Sequence, residues 1–449
     1  MRRRLKSRLA IAVSTASAAA ILFVGPSGAI AQKAPASMPA ATTAGAKAPA
    51  RAGPPVKEWK TPADLNKLVA VDTSYTPPRT AWGDYDFAHT YQIENLNAAR
   101  ILLQRPKVWG DRVYVNPEEF ARRLANAKRS DASFSNEGQG LNAGGTQGLA
   151  DWLTRTEFGH RTSMLISPAN GQLPPLTPWA EQMWKEGRSS WVPGQAYDTP
   201  ADFDSWDRCV SRGFPASMFP FRYNNGIRIF QSPGYMVINL EMLGTRVIPI
   251  GNAPKWPGQV EAWMGDSRGH WEGKTFVIET SNIKSGDGVT YNIQKRAASP
   301  LNMASQNVPP FNTIPTSTQA HTVERLTMID PNTMDYQITY DDPVVFTAPW
   351  TARFEWARDD KYQFFEYACI EGDVQVANYI KASRAERAQI AAGTRKAETA
   401  QQDSRTTFAG QFDFDPAAND RPARGFGPPR GGQRPAPPAA QPAKPASGG

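Results

Sequence analysis

Charged side chains embedded in strand-like apolar runs are the residues of this chain that are best placed to do chemistry. Burying an ionised side chain without a partner costs several kcal/mol, so each of them must face solvent or pair with an opposite charge. We predict that Glu241 and Arg246, on either side of a short Gly turn, form a buried pair that Glu371 joins. The full set comprises Glu241, Arg246, Glu279, Glu324, Arg325, Arg353, Glu355, Glu366 and Glu371.

A carboxylate–arginine cluster of this kind has a catalytic and a structural interpretation. In a pocket, Glu241 could act as a general base while Arg246 stabilises developing negative charge, with Glu371 as the third catalytic candidate. That describes a cofactor-free hydrolase or lyase. The alternatives are a non-catalytic small-molecule binding protein and an envelope-associated structural protein. An open cavity at Glu241 and Arg246 would favour catalysis or binding, whereas burial in the core would favour the structural role.

The chain contains thirteen tryptophans, and most of them should anchor the core and the loops. A subset lining a cavity would suit a flat apolar ligand or a sugar ring, because both stack on aromatic faces. The candidate substrate-binding residues are Trp263, Trp271 and Arg268. The expected ligand is a small aromatic, lipid-like or sugar-derived compound.

The motifs of several common site types are missing from the sequence. The four histidines, at positions 89, 160, 270 and 321, are far apart and are interpreted as surface or turn residues. The chain has no paired-histidine or C-x-x-C zinc pattern, and no P-loop, dinucleotide fingerprint or G-x-S-x-G elbow. We therefore expect neither a metal nor a cofactor.

Two cysteines, Cys209 and Cys369, are predicted to form one disulfide in an exported protein. Such a link closes a long loop and contributes about 3–5 kcal/mol on the chain-entropy model. It would connect the loop of residues 207–209 to the last strand. The alternative, a nucleophilic thiol, requires a nearby histidine and a free partner.

Residues 1–31 have the features of a secretory signal: five basic residues, an apolar run and an A-x-A cleavage site. The alternative, a permanent membrane anchor, is disfavoured because the run is short and rich in Ala, Ser and Thr. We expect a periplasmic or secreted protein with no stable membrane insertion after cleavage. Removing the signal lowers the net charge from +8 to +3, which gives no basis for nucleic acid binding.

Composition divides the rest of the chain into three parts. Residues 32–56 are rich in Ala and Pro and are predicted to be a disordered leader, and residues 396–449 a disordered Pro-, Gly- and Arg-rich tail. Residues 57–395 are predicted to form a single β-rich domain. A small-molecule ligand is the expected partner, and the oligomeric state stays open.

Strand patterns predict a mainly β fold that positions these side chains. Residues 227–283 contain three short apolar runs, and in one of them Met236, Ile238 and Leu240 share a face opposite Glu241. Residues 322–340 and 350–369 each indicate a hairpin. Successive hairpins indicate an antiparallel β-barrel or sandwich, because both dispose of exposed edges. One alternative is a lipocalin-like barrel, for which Gly269-His270-Trp271 offers a weak G-x-W motif.

Loops and short helices are expected to decorate the sheet. Three helices are predicted. The first begins at Pro117 and has Phe120, Leu124 and Ala127 on one face. The second covers residues 179–186, and the third, an amphipathic helix, covers residues 381–392. Residues 130–148 are predicted to be a mobile Gly-rich loop. The Pro- and Gly-rich segment before residue 200 should wrap around the strands without a core of its own.

Several sequence blocks together resemble a large family of exported proteins of unknown function, abundant in soil bacteria such as acidobacteria and sphingomonads. The blocks are DRCVSRGFP, YNNGIRIFQSPGYMVINLEM, RVIPIG, WMGDSRGHWEGKTFVIETSN, VERLTMIDPNTMDYQITYDDP, FTAPWT and YACIEGD. The resemblance covers residues 82–382 and implies export and domain extent. The family often has two histidines where this chain has Gly244 and Ile370, so a site built by those histidines would be lost or replaced here.

Overall fold

The computed structural model describes residues 59–93, 101–136, 153–154, 157–186, 196–203, 205–221, 224–284, 301, 314–371, 373–396 and 414–418. All of them belong to one compact unit, Gly53–Gly449. The predicted signal and leader lie outside the described residues, as does most of the predicted tail. Across these described ranges, no helix is both long and apolar enough to cross a membrane.

Ten β-strands form one sheet in which every strand pairing is antiparallel. In chain order the strands are β1 Thr90–Ile93, β2 Leu165–Ser167, β3 Gly226–Ser232, β4 Tyr235–Leu240, β5 Thr245–Pro249, β6 Asp266–Glu272, β7 Thr275–Ser281, β8 His321–Asp330, β9 Thr333–Asp341 and β10 Trp350–Arg358. Their order across the sheet is β5-β4-β3-β1-β10-β9-β8-β7-β6, and β2 pairs with β10 beside this path. The three predicted runs in residues 227–283 are thus five strands.

The two edges of the sheet meet and nearly close it into a barrel. Ile250, just after β5, forms a parallel bridge with Gly269 of β6. Beside it the amide of Gly251 donates to the carbonyl of Gly269 at 2.8 Å. A Cβ at position 269 would overlap the ring of Phe276, so this close approach requires glycine. The predicted mainly β fold is confirmed as an antiparallel barrel with loop and short-helix decorations.

Strand alternation fills the inside of the barrel with large side chains. Met236, Ile238 and Leu240 are buried on one face of β4, as predicted. On the paired strands β9 and β10, the rings of Tyr336 and Trp356 stack with their centroids 4.6 Å apart. Such pairs add to the stabilisation that apolar burial provides.

One predicted hairpin forms and the other does not. β8 and β9 pair along their lengths, which confirms the hairpin over residues 322–340. The second hairpin is wrong, because β10 pairs with β9 and β1 while residues 362–369 form no strand. The hydroxyl of Tyr362 and the amide of Phe365 instead donate to the carboxylate of Glu241, so these groups are hydrogen-bonded to a side chain and not to a neighbouring strand.

Three α-helices accompany the barrel: α1 Pro117–Asn136, α2 Pro178–Glu186 and α3 Gln375–Ala391. The predicted apolar face of α1 is confirmed, with Ala127 buried and Phe120 and Leu124 packed against the core. The predicted loop over residues 130–148 is wrong in its first part, since α1 continues through Asn136. Its remaining residues, 137–148, lie outside the described ranges. The predicted α2 is confirmed; the amide of Ala180 donates to the Thr177 hydroxyl at 3.2 Å.

The last helix differs from its prediction. α3 begins six residues before residue 381 and contains no buried residue. Its Tyr379 ring lies 6.2 Å from that of Phe203. Polar contacts also hold it: the amide of Tyr197 donates to the Ser383 hydroxyl at 3.1 Å, and Arg384 donates to the backbone carbonyl of Asp198 at 2.6 Å.

The segment before residue 200 packs around the strands, as expected. Leu103, Phe158 and Leu165 belong to the same apolar cluster as the barrel interior. Residues 414–418 of the predicted tail also pack on the body. Asp415 forms a buried ion pair with Arg123 of α1 at 3.0 Å.

Candidate functional site

Arg246 lies inside the barrel on β5, and its partner is Glu324 on β8. Its guanidinium donates to both carboxylate oxygens of Glu324, to one of them at 2.8 Å, and lies 4.6 Å from the ring centre of Phe214. The predicted Glu241–Arg246 pair is therefore wrong. Curling of the sheet brings β5 opposite β8, whereas Glu241 lies beyond the end of β4.

Hydroxyl groups complete the environment of this ion pair. Arg246 donates to the hydroxyls of Ser267 and Thr280 at 3.0 Å each, and Tyr336 donates to Glu324 at 2.7 Å. Burial raises the pKa of Tyr336 well above its ordinary value. Arg246 and Glu324 are both buried, so the pair is sealed and its charges are matched inside the protein.

Glu241 binds the segment that follows β10. Its two carboxylate oxygens accept from the Tyr362 hydroxyl at 2.8 and 2.7 Å, and they also accept from the amides of Phe365 and Gly226, both at 3.1 Å. A Cβ on Gly226 would lie 2.8 Å from Glu241 Oε2, so only glycine permits this approach. Glu241 is buried and fully hydrogen-bonded, and it holds residues 362–365 against the start of β3.

The other predicted site residues are dispersed. Glu371 is exposed in a turn and does not join the sealed Arg246. Trp271 contacts Phe87, Phe276 and Tyr85, with ring centroids 5.1, 4.9 and 5.5 Å away, so it packs an end of the barrel.

Arg268 and Trp263 lie in different local settings. Arg268 pairs with Asp266 and donates to the carbonyl of Ala253 at 3.3 Å, which fixes the loop before β6. Trp263 has the ammonium of Lys284 5.4 Å from its ring centre. The contacts described for Trp263, Trp271 and Arg268 join them to separate neighbours, and their role in substrate binding stays a prediction.

A second network of buried charges covers the outer face of β9 and β10. Arg353 donates to Asp335 at 2.6 Å, to Glu157 at 2.8 Å and to the carbonyl of Val69 at 2.8 Å. Tyr114 donates to Glu157 at 2.6 Å. Asp335 and Glu157 were not among the predicted residues. In β10 the large apolar residues alternate with Arg353 and Glu355, a pattern that indicates a solvent-facing charged side, so the sequence carried no local signal for the burial of this face.

Glu355 and Arg161 form the least satisfied pair of this outer network. Both side chains are fully buried, and a guanidinium nitrogen of Arg161 lies 3.6 Å from a carboxylate oxygen of Glu355. Neither side chain has a hydrogen-bond partner among the described residues. Burial raises the pKa of Glu355 to about 8. The negative charges of Glu157 and Asp335 also raise this pKa, whereas the positive charge of Arg161 lowers it. Together these effects favour the protonated form of Glu355.

His160 contradicts the expectation that each histidine is a surface or turn residue. It is buried, and its ring stacks on Phe120 at 3.7 Å. Burial lowers its pKa to about 3, so the imidazole is neutral at neutral pH. Among the residues that the structure describes, no group of three or more His, Cys, Asp or Glu is placed to hold a metal.

The predicted disulfide between Cys209 and Cys369 is confirmed, and it spans 160 residues of sequence. Its predicted attachment to the last strand is wrong, because Cys369 lies in a turn eleven residues after the end of β10. The bridge thus ties the loop of residues 207–209 to the segment between β10 and α3.

An open cleft of about 360 Å³ lies directly beside this disulfide. Its walls combine two aromatic rings with two carboxylates and an amide. The lining residues are Trp206, Asp207, Tyr367, Ala368, Cys369, Asp373 and Gln375. The carboxylate of Asp373 lies 3.6 Å from Cys209 Sγ. Trp206 and Tyr367 also pack on a small apolar cluster, formed by Phe221 and Met242, that holds the walls in place.

Comparisons of the chain with family models, curated proteins and solved structures found no match. The family resemblance therefore stays a prediction. Its two departures fall in contrasting environments. Gly244 has a φ of +146°, a conformation that favours glycine, and Ile370 is 75 % exposed next to Cys369. A histidine at position 370 would therefore stand at the surface beside the disulfide.

Proposed function

We propose that this protein is an exported small-molecule-binding protein whose ligand site is the cleft beside the disulfide. The single observation that supports this most is the cleft itself, whose volume falls within the range of about 300–1,000 Å³ typical of small-molecule sites. A disulfide that closes a long loop fits an oxidising compartment, which supports the periplasmic or secreted location.

The cleft walls favour a ring-shaped ligand, aromatic or sugar-derived. Trp206 and Tyr367 can supply flat apolar faces for stacking, while Asp207, Asp373 and Gln375 can bind hydroxyl or amine groups at the ring edge. The disulfide and the Glu241 contacts hold the wall formed by residues 362–369, which lacks regular structure. A prearranged wall lowers the entropic cost of binding.

Binding without catalysis is favoured over a hydrolase or lyase that uses Glu241 and Arg246. Both side chains are buried, both are hydrogen-bonded to other protein groups, and they do not pair. The same burial supports a second candidate, an envelope-associated structural protein in which these charges only stabilise the barrel.

A thermal-shift screen of the oxidised mature protein against aromatic acids, lignin dimers, steroids and oligosaccharides tests the proposal. A ligand at about a hundred times its dissociation constant adds about 2.7 kcal/mol of stability. We expect a hit that Trp206→Ala abolishes and that Trp256→Ala, at an exposed position outside the cleft, preserves.

The same screen separates the alternatives. A hit that the wild type consumes and Glu241→Gln does not would establish an enzyme. Silence with every compound would favour the structural protein. A hit that persists unchanged in both the wild type and Glu241→Gln is the result that the proposal predicts.

A further inference from the structure

The surface around the cleft is unusually apolar for an exposed region. Ile370, Val374 and Phe365 are 75 %, 64 % and 56 % exposed, and Val210 next to the disulfide is 41 % exposed. Such side chains beside a concave site are typical of a surface that another chain covers. Because they adjoin carboxylates, the occupant should be both apolar and basic.

Among the described residues that line the cleft, the charged side chains are acidic. Asp207 and Asp373 contribute two carboxylates, and the described lining residues include no Lys, Arg or His. Aromatic faces next to carboxylates bind guanidinium groups well, because the ring attracts the cation and the carboxylate accepts its hydrogen bonds. Aromatic-lined grooves also receive proline-rich segments.

This chain carries a segment with that chemistry. After Ala418 the sequence contains five basic residues and eight prolines, with Asp420 as the single acidic residue. The part nearest the body reads RPARGFGPPRGGQR, residues 421–434, and includes four arginines and Phe426. Its three prolines favour an extended conformation and so reduce the entropy lost on binding, while its four glycines increase that loss.

The segment starts from a fixed point on the body. The buried ion pair between Asp415 and Arg123 and the hydrogen bond from Asn126 to the carbonyl of Ala417, at 2.8 Å, hold residues 414–418 on α1. Residue 421 follows three positions later. Ten further residues span at most about 35 Å. A tether that spans the distance to its site holds a segment at an effective concentration of roughly millimolar.

We propose that the disulfide cleft and its apolar rim are a docking site for the arginine- and proline-rich segment of residues 421–434 of the same chain. One of its arginines occupies the aromatic–carboxylate cleft, and Phe426 or a proline covers the exposed rim. The docked segment competes with any small molecule for the cleft. The inference uses the site of the proposed function and adds an occupant supplied by the protein itself.

Hydrogen exchange of the full mature chain tests this docking. The observed regions are residues 205–210 and 367–376, compared between the wild type and a variant with Arg421, Arg424, Arg430 and Arg434 all changed to Gln. We expect exchange about tenfold slower in the wild type, as a tether at millimolar effective concentration gives for a dissociation constant near 0.1 mM. Asp373→Asn should lose the same protection, and about 1 M salt should remove most of it.

A matched control changes the basic residues of the leader, Lys33, Lys47 and Arg51, to Gln, and should leave exchange as in the wild type. Equal exchange in the wild type and the tail variant would overturn the proposal. So would protection that increases with protein concentration, because the segment would then come from a second copy. A small molecule that binds equally well to both proteins would leave the proposed function standing and refute the docking alone.

Discussion

The barrel interior and the disulfide cleft both place charged groups among aromatic rings, yet they use them differently. Inside the barrel, Arg246 and Glu324 are buried and bound to each other and to surrounding hydroxyls. In the cleft, Asp207 and Asp373 line open volume between Trp206 and Tyr367. The difference teaches that the buried charges in the strands of this protein stabilise the scaffold, whereas the proposed binding surface lies in irregular segments held by a disulfide.

Breaking the buried Arg246–Glu324 pair should have the largest effect on stability. Glu324→Leu leaves Arg246 buried without its carboxylate and should lower the free energy of unfolding by about 3–5 kcal/mol, measured by urea denaturation. The double variant Arg246→Met/Glu324→Leu is the control and should recover much of the loss. A single-variant loss below about 1 kcal/mol would contradict a scaffold role for the pair.

Removing the disulfide should affect both regions, but unequally. Cys209→Ser/Cys369→Ser should lower the free energy of unfolding by about 3–5 kcal/mol, because the open loop gains entropy when unfolded. It should also weaken ligand binding, because the cleft wall at residue 369 loses its anchor. Calorimetric titration at a temperature where the variant is still folded separates the two effects. Unchanged affinity would place the ligand elsewhere.

Titration of Glu355 sharpens the comparison, because it should make the stability of the barrel depend on pH while leaving ligand affinity unchanged. Its folded pKa, about 8, lies above its unfolded value of 4.5, so it contributes stability below pH 4.5 that is lost as pH rises towards 8. The charged groups acting on it are Arg161, Glu157, Asp335 and Arg353. Glu355→Gln should remove a slope of at most about 1.4 kcal/mol per pH unit in this window.

Denaturation curves of the wild type and Glu355→Gln between pH 5 and 8 measure that slope. The buried His160 acts in the opposite direction, because its folded pKa is lowered, and its contribution cancels in the difference between the two proteins. Parallel stability profiles for the two would show that Glu355 is ionised in the folded state. Ligand affinity should be the same in both proteins, since Glu355 does not line the cleft.

Local patterns predicted the scaffold well. Alternation in residues such as Met236, Ile238 and Leu240 identified a buried strand face, and the count of two cysteines in a chain expected to be exported predicted the disulfide. Both inferences depend on neighbouring residues or on composition, so neither requires knowledge of the three-dimensional path of the chain.

The partners of the buried charges could not be predicted in the same way. Glu324 lies 78 residues after Arg246, and the two meet only because the sheet curls until β5 faces β8. Glu157 reaches Arg353 from a loop 196 residues earlier. The cleft was missed for a similar reason, since its walls come from two distant segments that meet at the disulfide, and residues 367–369 of the second had been predicted as part of a strand. Sequence separation of this size leaves no local signal.

The structure of the oxidised protein bound to the ring compound that gives the largest thermal shift tests the central claim most directly. We predict that the ring stacks between or upon Trp206 and Tyr367, with its polar groups on Asp207 or Asp373. A ligand found inside the barrel, against Trp271 or Tyr336, would contradict the account, because it would mean that the barrel interior opens to bind.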